Sequence, residues 1–210
     1  MNKKIKITVV GSGYVGMSLA VLLAQHNDVV VLNIDLERVK MINQNQSTIR
    51  DSAIESFMSN KSLSLSATSD KPKAFKDASF ILIATPTNYD TQTNQFDTKS
   101  VDFIVEEALR INPNALIVIK STIPVGHTKS LQKKFNTNQI IFSPEFLREG
   151  TALQDNLYPS RIIIGSTYKI GNAFATLLER EAEKQEVDIL FMDSNEAEAV
   201  KLFANSYLAM

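Results

Sequence analysis

Short apolar, β-branched runs punctuate this chain: Ile5 to Val10, Val29 to Ile34, Phe80 to Ala84, Ala115 to Lys120, Ile140 to Phe142, Arg161 to Gly165 and Val187 to Phe191. Runs that stay apolar on successive positions fit strands covered on both faces. Leu63 to Ser66 alternates instead and reads as a further short strand. Between the runs the period changes. Leu19, Leu22 and Leu23 recur at helical spacing up to His26, and Val101 to Ile111 is amphipathic and stops before Pro113. Ala173 to Lys184 reads as a helix, with shorter ones over 36–45, 51–60 and Pro72 to Asp77. Tyr89 to Lys99 is polar and irregular, as a surface loop would be. A last helix runs from Ala199 to Met210, with Ser194 as its cap and Ala197 where a capping box would carry Glu. No Gly, Pro or basic cluster closes it, so a truncated chain ending inside a helix is expected. About eight strands alternating with helices predict a doubly wound α/β domain with a mainly parallel sheet, helices on both faces and right-handed crossovers.

The first strand leads into Gly11-Ser12-Gly13-Tyr14-Val15-Gly16, followed by an apolar helical pattern. This is G-x-G-x-x-G between a strand and a helix, the context that makes the motif a Rossmann-like dinucleotide site. Gly11 allows the tight turn, Gly13 lets a pyrophosphate approach the backbone, and Gly16 lets the helix pack closely. The helix N-terminus offers unpaired N–H groups and partial positive charge. The competing reading is a glycine-rich turn in some other α/β protein. At the end of the second strand, Asn33 and Asp35 are the candidates for the ribose hydroxyls, and Arg38 follows. Asp35 reads at least equally as a helix N-cap. Two later strands end in hydroxyls, Thr85 and Thr87, then Ser121 and Thr122, on the side where open α/β sheets bind ligands. Glu145 and Glu149 flank Arg148 after the 140–142 strand, either as site residues or as a solvated, salt-bridged turn.

Composition narrows the chemistry. Hydrophobic residues make up 44% and charged residues 21%, as in an ordinary globular protein. A formal net charge of −1 argues against a nucleic-acid surface or an anionic membrane. There is no cysteine, hence no disulfide, thiolate metal site or cysteine nucleophile in these residues. His26 and His127 are too few and too far apart for a histidine metal site. Met1 to Lys4 precede a run that turns at Gly11, which fits a first strand rather than a signal peptide. No run approaches a transmembrane length, and the cytoplasm is the expected compartment.

Together with the glycine motif, Ala84-Thr85-Pro86-Thr87-Asn88, Lys120 to Gly126, Ser143 to Gly150 and Glu196 to Asn205 resemble the UDP-glucose/GDP-mannose dehydrogenase family, and within it the bacterial UDP-glucose 6-dehydrogenases. The likeness runs over residues 3–210 with the motifs in order. It implies oxidation of a nucleotide sugar, UDP-glucose, at C6 to UDP-glucuronate with two NAD, through an aldehyde and a cysteine thioester. It implies that Gly11, Gly13, Tyr14, Val15 and Gly16 hold the pyrophosphate of NAD. Asn33 stands where the family has its ribose-binding Asp, and Arg38 matches a basic residue near the adenosine. Thr87 and Thr122 would contact the nicotinamide half, with Thr122 also placing a catalytic water. Phe146, Leu147, Arg148 and Glu149 would wrap the substrate, Glu149 assisting proton transfer and contacting the cofactor, while Glu145 supports the loop. Lys201 and Asn205 would stabilise the oxygen charge developing at C6. Without the resemblance, Lys201 reads as a snorkelling helix residue.

The family's cysteine and a partner Asp lie in a C-terminal domain beyond these residues. The implied organisation is a NAD-binding domain over 1–193 and the start of a connecting helix over 194–210, in a full-length homodimer. The alternatives are a sibling enzyme acting on GDP-mannose or a UDP-N-acetyl sugar, and a non-catalytic NAD-binding module.

Overall fold

The unbroken apolar runs become strands because helices cover both of their faces. A computed structural model describes residues 4–92 and 95–208, with only the backbone described for Asp90, Gln95 and residues 205–208. The strands are β1 (Lys6–Val10), β2 (Asp28–Leu32), β3 (Leu65–Thr68), β4 (Phe80–Ile83), β5 (Tyr89–Asp90), β6 (Gln95–Phe96), β7 (Leu116–Ile119), β8 (Ile140–Phe142), β9 (Arg161–Gly165) and β10 (Asp188–Met192). The helices are α1 (Tyr14–Leu23), α2 (Leu36–Asn43), α3 (Ser52–Asn60), α4 (Lys71–Phe75), α5 (Lys99–Ile111), α6 (His127–Phe135), α7 (Ala152–Leu157), α8 (Tyr168–Glu181) and α9 (Ser194–Leu208).

Eight strands form one sheet in the order β10-β9-β8-β7-β4-β1-β2-β3. All pairs are parallel except β8 with β9, joined antiparallel at Phe142 and Gly165, so β9 and β10 run against the rest. Alternate side chains of each strand enter opposite cores. Ile7, Val9, Leu82 and Val118 join Leu19, Leu22 and Phe174 on one face. Val10, Ile81, Ile83 and Ile117 join Phe75, Val105 and Leu131 on the other. This is the doubly wound architecture expected. Among the described residues, no helix is long and apolar enough to cross a membrane.

Several local expectations need correction. The 89–99 segment is not wholly irregular: Tyr89–Asp90 and Gln95–Phe96 pair antiparallel, with the Tyr89 and Phe96 rings 5.1 Å apart. β3 sits two residues later than the alternating run, because register with β2 sets it. α8 starts at Tyr168, its Gly171 pressed so close to β9 that a Cβ would lie 2.4 Å from Ile164. α6 and α7 were not anticipated. The cap of α9 is Asp193 rather than Ser194. Asp193 accepts from the Asn195 N–H at 3.0 Å, and Glu196 accepts from the Asp193 N–H at 3.0 Å, the reciprocal cap of a capping box with the aspartate on the second helical N–H.

Candidate active site

Strand order reverses between β1 and β4: the chain proceeds from β1 to β2 and β3 on one side, and from β4 to β7 and β8 on the other. Ligands of open α/β sheets bind at such a switch point, outside the carboxyl ends of the strands. The loop after β1 meets the loop after β4 there. Gly11 has φ +100°, and a Cβ on it would sit 2.5 Å from the Ala84 carbonyl oxygen. A Cβ on Gly16 would sit 2.1 Å from the Gly11 carbonyl oxygen, so the close approach is to the turn itself. Gly13 differs: its backbone is extended and a Cβ there would enter open space. It is the N-cap of α1 and supplies no side-chain acceptor, so the first N–H groups of the helix face outward uncapped. That arrangement fits the pyrophosphate of a dinucleotide.

A cleft of about 440 Å³ opens beside these amides, bounded by Gly13, Tyr14 and Val15 on one wall. Thr87 and Thr122 line it, as do Glu145, Leu147, Arg148, Glu149 and Lys201. Backbone bonds hold the walls to the strand ends: the Ser121 N–H donates to Ile83 at 3.1 Å and the Ser143 N–H to Ile119 at 3.0 Å. The Ser121 hydroxyl donates to the Thr85 carbonyl at 2.7 Å.

Lys201 is not a snorkelling residue. Its side chain is 6% exposed, and Nζ donates to the Glu145 carbonyl oxygen at 2.6 Å and to Glu145 Oε1 at 2.7 Å. Glu145 Oε2 accepts from the Leu147 N–H at 2.9 Å, so one carboxylate shapes the loop and anchors the lysine. An ammonium has three donors. Among the described residues two of these are committed, and the lysine lines the cleft. Glu149 lies exposed at the rim. Arg148 also lines the cleft, but its guanidinium is held by Asp155, with Nη2 to Oδ1 at 2.6 Å and Nε to Oδ2 at 3.3 Å. Burial would raise the Asp155 carboxyl; hydrogen bonds and charge from Arg148 outweigh it and hold it below the usual range. Phe146 lines a smaller cavity of about 180 Å³, its ring centroid 5.4 Å from the Arg161 guanidinium and 5.7 Å from Lys201 Nζ. Asn205 lies four positions after Lys201 on α9, and its side chain is outside the described residues.

Asn33, Asp35 and Arg38 do not line this cleft and lie beside the glycine turn: Asn33 follows β2, and Asp35 is the N-cap of α2, accepting from the Glu37 and Arg38 N–H groups at 3.0 and 3.3 Å. Arg38 reaches back to the Ser12 carbonyl at 3.2 Å.

One cleft residue had no role assigned from the sequence. Lys120 is buried at the end of β7, with Nζ donating to Ser143 Oγ and the Pro144 carbonyl, both at 3.3 Å. Burial pulls its pKa down to about 8; Glu145 opposes this and Lys201 reinforces it. A charged residue closing a buried strand was the available signal.

A model of the UDP-glucose/GDP-mannose dehydrogenase family, NAD binding domain, matches residues 5–197. The UDP-glucose 6-dehydrogenase of Streptococcus pneumoniae is 52% identical over 97% of this chain and 53% of its own length. That of Campylobacter jejuni is 49% identical over 98% of this chain and 53% of its own length. Among solved structures, a UDP-glucose dehydrogenase from the hyperthermophilic archaeon Pyrobaculum islandicum superposes with a TM-score of 0.86 at 27% identity, over 99% of this chain and 50% of that one. The chain spans about half the length of the curated relatives it matches.

Proposed function

Since the chain belongs to the UDP-glucose/GDP-mannose dehydrogenase family and carries its NAD-binding domain, we propose that the full-length protein oxidises UDP-glucose at C6 to UDP-glucuronate. NAD supplies the hydride acceptor. In this reading the amides after Gly13 take the pyrophosphate, Thr87 and Thr122 border the nicotinamide half, and Glu149 exchanges protons at the rim. Leu147 and Arg148 border the sugar nucleotide on the cleft side of the loop, with Phe146 supporting it from behind. Lys201 turns its remaining N–H toward the C6 oxygen, with Asn205 beside it. A fixed donor aimed at an oxygen that gains charge stabilises the transition state by preorganised electrostatics.

The observation that carries this reading is the buried Lys201–Glu145 pair inside the same cleft as the uncapped amides of α1. A structural lysine needs no such place. The reading assigns 1–193 to the cofactor domain and 194–210 to a helix leading to a further domain that brings a cysteine. It assigns the full-length protein to the cytoplasm as a homodimer.

The test is NADH formation by the full-length protein with UDP-glucose, GDP-mannose and a UDP-N-acetyl sugar in turn. Two NADH per UDP-glucose, with little from the others, is expected. Turnover confined to another sugar would transfer the assignment to a sibling enzyme, and NAD binding without turnover of any would leave a binding module.

A further inference from the structure

Beside the glycine turn the chain departs from the usual NAD site, with a direct chemical consequence. About 20 residues beyond the glycine motif, NAD sites place a carboxylate that accepts from the ribose hydroxyls, whereas an arginine nearby accommodates the 2′-phosphate of NADP. Here the residue past β2 is Asn33.

Its amide orientation follows from its partners. The Asp35 backbone N–H, 2.8 Å away, can only donate, so it faces Oδ1. Nδ2 therefore donates to Ser12 Oγ, at 2.5 Å. A hydroxyl that accepts from an amide keeps its own hydrogen, and the amide keeps a second N–H. An aspartate at this position would do the opposite: it would take the Ser12 hydrogen and present only acceptors. Ser12 is buried at 2% exposure, which holds this geometry. Arg38 completes the edge. Its Nη1 donates to the Ser12 carbonyl at 3.2 Å, and a guanidinium has further N–H groups to offer. The neighbouring Asp35 is already committed. Its Oδ1 caps α2, and its Oδ2 lies 3.6 Å from Arg38 Nε.

We propose that Ser12, Asn33 and Arg38 form a 2′-phosphate subsite, so that this protein binds NADP as well as NAD. The proposal rests on the reading of the cleft as a dinucleotide site. It adds a ligand class that the NAD assignment does not contain.

The test is isothermal titration of the full-length protein with NAD and with NADP. Dissociation constants within about tenfold of each other are expected for the wild type, a difference of at most about 1.4 kcal/mol. Asn33→Asp should weaken NADP by about tenfold or more relative to NAD, through charge repulsion and loss of the Ser12 donor. Arg38→Gln, at a half-exposed side chain where folding is not at stake, should weaken NADP by about tenfold more than it weakens NAD. Wild type that binds NAD but takes NADP more than about a hundredfold more weakly overturns the subsite and leaves the dinucleotide site intact. Loss of that exclusion in Asp35→Ala would make Asp35 the ribose acid and overturn it equally. Failure of both nucleotides to bind overturns the dinucleotide reading along with the subsite.

Discussion

Lys201 and Lys120 show how differently two buried lysines in one cleft can behave. Lys201 is paired, and taking away one member of a buried pair costs about 3–5 kcal/mol because the other charge is left stranded. Lys201→Ala in the full-length enzyme is therefore expected to lower both stability and turnover. The two effects separate in the double variant Lys201→Met with Glu145→Gln, which should melt closer to wild type yet still lose about 10²–10³-fold in kcat. NAD affinity should stay near wild type in both, because the role proposed for Lys201 lies in the transition state. Recovery of turnover with recovery of stability would make the pair structural. Among the described residues Lys120 donates to neutral oxygens, both at 3.3 Å, and burial pulls its pKa from 10.5 to about 8. Between those values the unfolded chain binds more protons than the folded one, so stability from this group rises with pH across that window. Below about pH 8 the full cost of the charge is present, about 3 kcal/mol for a shift of this size. Lys120→Met should raise urea stability at pH 7 and lose most of that gain by pH 10. An equal gain at both pH values would mean that the charge is not the cause. Little of this was legible residue by residue. The partner of Lys201 lies 56 positions away, and no local period announces it.

Elements were legible in proportion to how much of their burial is local. The central strands read as apolar runs because both faces are covered, and β4 and β7 are buried at every position. α6 was missed because most of its sequence is polar: Thr128 and Leu131 are buried, and the lysines face water. α7 is only six residues long, too short to show a period. α6 also lacks a cap of its own. Gly126 offers no side chain, and Glu198 on α9 fills the gap, accepting from the Gly126 N–H at 2.5 Å and the Thr128 N–H at 2.9 Å. A fully buried carboxylate at a helix N-terminus matches the helix dipole as well as the orphan donors. Glu198→Gln replaces one acceptor oxygen with an NH₂ facing an N–H, and should cost about 1–3 kcal/mol. Urea denaturation should show the loss, and hydrogen exchange should show faster opening at Gly126 and Thr128. Unchanged protection there would refute the cross-helix cap. The cap of α9 has a similar cause: Asp193 is fixed as the cap partly by its pair with Lys129 of α6 at 2.7 Å, a partner that no local pattern announces.

At the scale of the molecule, the sheet is covered on both faces, and the cleft opens beside the glycine turn at the carboxyl ends of its strands. What these residues lack is a thiol. Taking an alcohol to a carboxylate removes two hydrides and adds water, and the thioester route implied by the family resemblance needs a thiolate between the two oxidations. The last prediction follows. Residues 1–210 expressed alone should bind NAD saturably in a calorimeter, since the strand, glycine turn and helix that would hold the pyrophosphate are complete. Incubated with NAD and UDP-glucose, the same protein should yield no UDP-glucuronate by mass spectrometry, while the full-length protein does. Folded 1–210 that ignores NAD would count against the cofactor cleft. UDP-glucuronate produced by 1–210 would show that the four-electron chemistry needs no cysteine, and the division of labour proposed for the two halves of the enzyme would fall.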